Sequence, residues 1–168
     1  MANIEVKVEN LIKKTIEDLG YILYDVQYVK EGQNYFLRVF IEKAEGSIDL
    51  NDCEKVNDAI NDILDTANYI KDQYFLEVSS TGLEKVLRKE SHLKENIGNE
   101  IQINLFKPIE NEIKDKKKKI NKQKEIFGKL KDFNEENIIL ELEEGKILNI
   151  ERKNISQIKT VYDWDSIN

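Results

Sequence analysis

Apolar residues near the start of the chain recur at helical spacing, at Ile4, Val8, Leu11, Ile12, Ile16 and Leu19, with charged residues between them. Asn3 is placed to cap this helix, and Gly20 to end it in a left-handed conformation. From Tyr21 the period shortens. Tyr21 to Lys30 and Tyr35 to Lys43 are rich in aromatic and β-branched residues, and the turn Glu31-Gly32-Gln33-Asn34 between them predicts a hairpin. In the second of these strands Leu37, Val39 and Ile41 share one face, and Phe36, Arg38, Phe40 and Glu42 share the other. Helical spacing returns at Cys53, Val56, Ile60, Ile63 and Leu64, behind a variant capping box of Asp49 and Asp52. Asn57, Asp58, Asn61, Asp62 and Asp65 make the solvated face of that helix. Tyr74, Leu76 and Val78 alternate as a third strand. The order αββαβ predicts an α+β domain over residues 1–82, an open sheet with both helices on one face.

The second half reads differently. After a linker at 83–98 with a short helical stretch around Ser91 to Ile97, short strands follow closely from 99 to 168. Ile101, Ile103 and Leu105 alternate, then come Phe127 to Phe133, Ile138 to Glu143, Lys146 to Glu151 and a closing strand from Ile158 to Trp164. Glu144-Gly145 marks a tight turn. Several short strands in so few residues predict a small β-barrel, because closure removes exposed edges. Lys107 to Lys124 is polar and lysine-rich, which predicts a long mobile hairpin loop opened by the single proline, Pro108.

Composition narrows the class. The 168 residues are comfortable for two small domains, and at 40% hydrophobic each can build a modest core. No apolar run approaches the roughly 20 residues that span a bilayer, and the first residues lack the features of a signal peptide. Cys53 is the single cysteine, which rules out an intrachain disulfide and fits a reducing compartment. The expectation is a cytoplasmic protein with no membrane association.

Charge adds a contrast between the halves. Residues 1–80 carry 16 acids against 8 bases, and residues 81–168 carry 17 against 18, so the net −7 sits in the first half. Within 114–131 there are nine lysines and two acids, Asp115 and Glu125. An acidic front and a locally basic back suit a partner that presents both signs, such as a ribonucleoprotein. Lys116, Lys117, Lys118, Lys119, Lys122 and Lys124 read equally as a solvated loop or as phosphate contacts. With only three arginines, any RNA contact is expected to follow the backbone or the shape rather than read bases.

Catalytic chemistry finds little support. Cys53 and His92 are each unique, but Cys53 belongs to the apolar stripe of a helix and His92 to the other half of the chain. No CxxC, HExxH, P-loop or GxGxxG occurs, so no enzyme activity, metal or cofactor is expected. Ser79-Ser80-Thr81-Gly82, at the midpoint, reads first as a turn in which hydroxyls bond the local backbone. The same groups could instead form a nest for an anion or a partner's backbone.

Four segments stand in order along the first half: Leu37-Arg38-Val39-Phe40-Ile41, Leu50-Asn51-Asp52-Cys53-Glu54, Ile63-Leu64-Asp65 and, most specifically, Tyr74-Phe75-Leu76-Glu77-Val78-Ser79-Ser80-Thr81-Gly82-Leu83. Together they resemble the RimP family of bacterial ribosome maturation factors. Ile97-Gly98, Phe127-Gly128-Lys129-Leu130 and Ile155 to Ile158 match more weakly, in the same order. The chain departs from the family pattern where Thr81 replaces a proline and Lys85-Val86-Leu87 replaces an Arg-Pro-Leu, which leaves the joint less pre-set in backbone angle. The resemblance implies an αββαβ domain followed by an SH3/Sm-like β-barrel. It also implies a monomeric, non-enzymatic factor that binds the free small ribosomal subunit and assists its late assembly near the decoding region. The implied partners are that subunit, a basic ribosomal protein there, and rRNA. Glu77, Ser79, Ser80, Thr81, Gly82, Lys85 and Arg88 are then the interdomain hinge and a candidate contact. An Sm-like regulator acting on free RNA is the alternative, though its stacking aromatics are not evident as one group in the sequence.

Overall fold

The computed structural model describes residues 3–111 and 121–162, which divide into two compact units with the boundary between Thr81 and Gly82. The first unit runs α1 (Ile4–Asp18), β1 (Ile22–Glu31), β2 (Asn34–Glu42), α2 (Leu50–Ala67) and β3 (Tyr74–Ser80). Its helices start and stop where local chemistry requires. The Asn3 side chain accepts from the Val6 amide at 2.9 Å, and Gly20, just past α1, takes a φ of +94°. At α2, Asp49 accepts from the Asp52 amide at 2.8 Å while Asp52 accepts from the Asp49 amide at 2.9 Å, a reciprocal capping box.

The three strands form a sheet of order β1-β2-β3, antiparallel between the first two and parallel between the last two. Parallel pairing follows from α2 acting as the crossover between β2 and β3. Val8, Ile12 and Ile16 of α1 and Val56, Ile60 and Leu64 of α2 bury themselves with Leu37, Val39 and Ile41 of β2. The alternation read along β2 therefore sorts its two faces correctly.

The second unit contains α3 (Glu90–Glu95), β4 (Glu100–Asn111), β5 (Asn121–Phe133), β6 (Asn137–Glu141), β7 (Ile147–Glu151) and β8 (Ile155–Thr160). Its antiparallel sheet has the order β7-β6-β5-β4-β8. Ile101, Ile103, Ile126, Leu130, Ile138, Leu140 and Ile150 fill the core under it. The molecule is thus α+β, with an α/β unit followed by a separate β-sheet unit.

Four readings of the sequence differ from the structure. The anticipated SH3/Sm-like closed barrel is not seen: the sheet is open, and among the described residues no ladder joins β7 to β8. One edge is covered by other means. Val86 bridges Lys159, the Leu87 amide donates to the Ile158 carbonyl at 2.8 Å, and the Thr160 amide donates to the Lys85 carbonyl at 2.9 Å, so an upstream segment masks β8. The residues read as a linker, 83–98, accordingly supply Leu87 and Leu93 to this unit's core.

The loop expected over 107–124 is strand at both ends, with Ile109 opposite Gln123, Glu110 opposite Lys122 and Asn111 opposite Asn121. Alternation marks a strand with one buried face, and the lysine-rich sequence here does not alternate. The closing strand begins three residues earlier than its apolar pattern implies, at Ile155, and Trp164 lies outside the described residues.

Candidate functional site

The joint residues sit at the end of β3 and just beyond it. Glu77 lies on β3 opposite Arg38 of β2, followed by Ser79 opposite Phe40 and Ser80 opposite Ile41. Both serines are exposed, Thr81 is half-buried, and Gly82 takes a φ of +80°. That angle lies in the left-handed region, which glycine adopts without the Cβ penalty other residues meet. The Lys85 amide donates to Thr160 Oγ1 at 2.8 Å, and the Arg88 and Lys89 amides donate to Nδ1 of buried His92 at 3.0 and 3.1 Å. His92 therefore holds the first turn of α3 by accepting two amide hydrogens.

Glu77 is part of a larger arrangement. Arg38 reaches it through Nε at 2.9 Å and grips Glu31 with both terminal nitrogens, at 2.8 and 3.0 Å. Arg38 also lies 5.0 Å over the Phe36 ring, which stacks on Phe75 at 5.6 Å. The bidentate contact holds the Glu31 carboxyl below its usual range and raises Arg38. All of these groups lie on the sheet face away from α1 and α2. The sequence places Phe36 and Arg38 on that face but leaves out Phe75 and Glu77, because parallel register is invisible to alternation within a single strand.

At the other end of β2 lies a network that sequence reading missed. Asp52, only 7% exposed, accepts from the Tyr21 hydroxyl at 2.5 Å and pairs with Lys43 Nζ at 2.8 Å. Lys43, then Tyr21, hold the Asp52 carboxyl well below the usual carboxylate range. The Tyr21 phenol is pushed up to about 12, first by its hydrogen bond to Asp52 and then by burial. Neighbouring Cys53 is raised by burial and by the charges of Asp52 and Asp49, the opposite of what a thiolate nucleophile needs. His92 belongs to the other unit, so no thiol–imidazole pair is formed within either unit.

Two surfaces carry charge. On α2, Glu54, Asp58, Asp62 and Asp65 are exposed along one ridge, with no ion pair to any of them among the described residues. The basic hairpin is described only in part. Lys107 and Lys124 are exposed on β4 and β5, and Lys122 takes its ladder position opposite Glu110. Lys116, Lys117, Lys118 and Lys119 lie outside the described residues. Among the described residues no group of three His, Cys, Asp or Glu side chains could hold a metal ion, and no helix is long and apolar enough to cross a membrane.

The arrangement offers exposed groups for ion pairs and ring contacts. Its aromatic and charged groups are spread over strand faces and a helix ridge. In a comparison with protein-family models, the RimP N-terminal domain model matches residues 11–84, most of the first unit. The first unit of this chain therefore carries a RimP N-terminal domain.

Proposed function

We propose that the protein binds the free small ribosomal subunit as a cytoplasmic monomer and assists its late maturation near the decoding region, without catalysis. The observation that carries this reading is the RimP N-terminal domain at 11–84. Such a factor acts by preferring an assembly-competent conformation of its partner and shifting the population toward it.

The division of charge supports two kinds of contact. The acidic ridge of α2 faces a basic ribosomal protein. Its carboxylates at i, i+4 spacing repel one another at a cost of a few tenths of a kcal/mol per pair, which an approaching cation relieves. Lys116, Lys117, Lys118, Lys119, Lys122 and Lys124 meet rRNA phosphates. Glu77, Ser79, Ser80, Thr81, Gly82, Lys85 and Arg88 serve as hinge and secondary contact, setting the orientation in which both surfaces engage.

Sedimentation of the protein with purified small subunits tests the reading. Co-migration with free small subunits, but not with assembled ribosomes, is expected, and it should weaken steeply as salt rises. In a deletion strain, small subunits and precursor rRNA should accumulate. A normal subunit profile in that strain would sink the proposal.

A further inference from the structure

β3 is a free edge of the first sheet. It closes the order β1-β2-β3, and among the described residues no strand pairs with its other side. In a parallel ladder alternate residues turn their N–H and C=O away from the neighbour, so this side presents a row of unpaired backbone groups. Natural edges are blunted by bulges, prolines, lysines or a covering segment. β1 breaks its register between Leu23 and Asp25, and β8 is masked by the segment around Val86. β3 pairs with β2 without a break from Tyr74 to Ser80, contains no proline or lysine, and buries none of its residues fully.

Two side chains beside this edge form half of an arrangement that the molecule already shows complete. Arg38 lies over the Phe36 ring and donates to Glu77 Oε2. Next to them on the same face, Phe75 is covered by Phe36 from the β2 side and remains 55% exposed. Glu77 Oε1 takes no hydrogen bond from the described residues, and the side chain is 47% exposed. A ring and a carboxylate oxygen therefore stand open two residues apart on the edge strand. Arg38 is shared with Glu31, so one cation serves two carboxylates there. On the opposite face the Tyr74 phenol is raised by burial and then by the charge of Asp65, which puts the last acid of the α2 ridge beside β3.

We propose that β3 takes an extended, arginine-bearing segment of a protein partner as a fourth strand, one arginine lying over Phe75 and pairing with Glu77 Oε1 as Arg38 pairs with Oε2. Backbone bonds along the edge supply affinity, and alternate side chains supply specificity. Charge selects the occupant. Carboxylates on both faces repel nucleic-acid phosphate, and a second copy paired antiparallel about the centre of the strand sets Glu77 against Glu77. The inference rests on the proposed contact with a basic protein and gives that contact a form: strand pairing at β3, beside the ridge of α2.

Fluorescence anisotropy of the full chain with a labelled peptide of alternating arginine and threonine tests it, alongside the same peptide N-methylated throughout its centre. The methylated peptide keeps its charge but has no central backbone N–H to donate. The unmodified peptide should bind at least tenfold more tightly, as expected for about three backbone hydrogen bonds. With it alone, amides within 74–80 should gain protection from hydrogen exchange. Phe75→Ala and Glu77→Gln should each weaken its binding by about two- to fivefold, the range of an exposed cation–ring contact or ion pair, whereas Phe75→Tyr should retain it. Equal binding of both peptides, or no gain in protection over 74–80, would overturn the inference, as would a dimer of the free chain that the peptide disperses. If the peptide fails to bind while the chain still co-sediments with small subunits, the broader proposal survives that failure. If the peptide binds and co-sedimentation fails, the edge stands as a peptide site and the subunit is not its source.

Discussion

Asp52 gathers Tyr21, Lys43 and the Asp49 amide, and two of these partners lie far away in sequence. Reading it as the third residue of a capping box is correct, yet periodicity cannot show that Tyr21 and Lys43 also converge on it. The network makes stability depend on pH at both extremes. Asp52 titrates lower in the native state than in the unfolded chain, so its contribution is complete above about pH 4 and is lost as pH falls below the carboxylate range. Tyr21 runs the other way. Its folded pKa of about 12 lies above the unfolded value near 10, so its contribution is complete below about pH 10 and is lost as pH rises through 12. Tyr21→Phe should therefore flatten the alkaline loss and remove a phenol that titrates at about 12 from ultraviolet difference spectra. Asp52→Asn should flatten both limbs and lower the urea midpoint at neutral pH with m unchanged. An unaltered alkaline limb in Tyr21→Phe would show that the phenol is not held by Asp52.

At the scale of elements, legibility followed the buried face. α1, α2 and the β1–β2 hairpin were readable because each has one apolar face and ends on cap or turn residues that act locally. The hairpin ends of β4 and β5 were not, since lysines at successive positions carry no alternation. Barrel closure was over-read, because strand count alone does not reveal that the segment around Val86 covers the edge of β8. The ridge of α2 gives a prediction of its own. Asp58→Lys turns two like-charge relations, with Glu54 and Asp62, into opposite-charge pairs at i, i+4. Stability by urea titration should rise by about 0.5–1 kcal/mol, from attraction gained and repulsion removed. Affinity for the small subunit should fall in the same variant. A variant that is more stable yet binds the subunit as well as the parent would remove α2 from the proposed interface.

For the whole molecule, the uneven charge was visible in sequence, while its partition between surfaces required the fold. The acids of α2 belong to the first unit and the basic hairpin to the second, on either side of the boundary at Thr81 and Gly82. If they meet different components of the subunit, their contributions to binding should be independent. Replacing Lys116, Lys117, Lys118 and Lys119 with glutamine should reduce the salt slope by about 3 to 4, the number expected for four released counterions. Asp58→Lys acts through a protein partner and should lower affinity with a much smaller change in slope, since no condensed counterions are involved. Combining the two sets should then lose the sum of the two separate losses, within about 0.5 kcal/mol. The measurement is a co-sedimentation or fluorescence titration against purified small subunits at several salt concentrations, for the parent, each set and the combination. A combined loss well short of the sum would mean that acids and lysines answer to the same contact, and the division of labour between the two units would have to be abandoned.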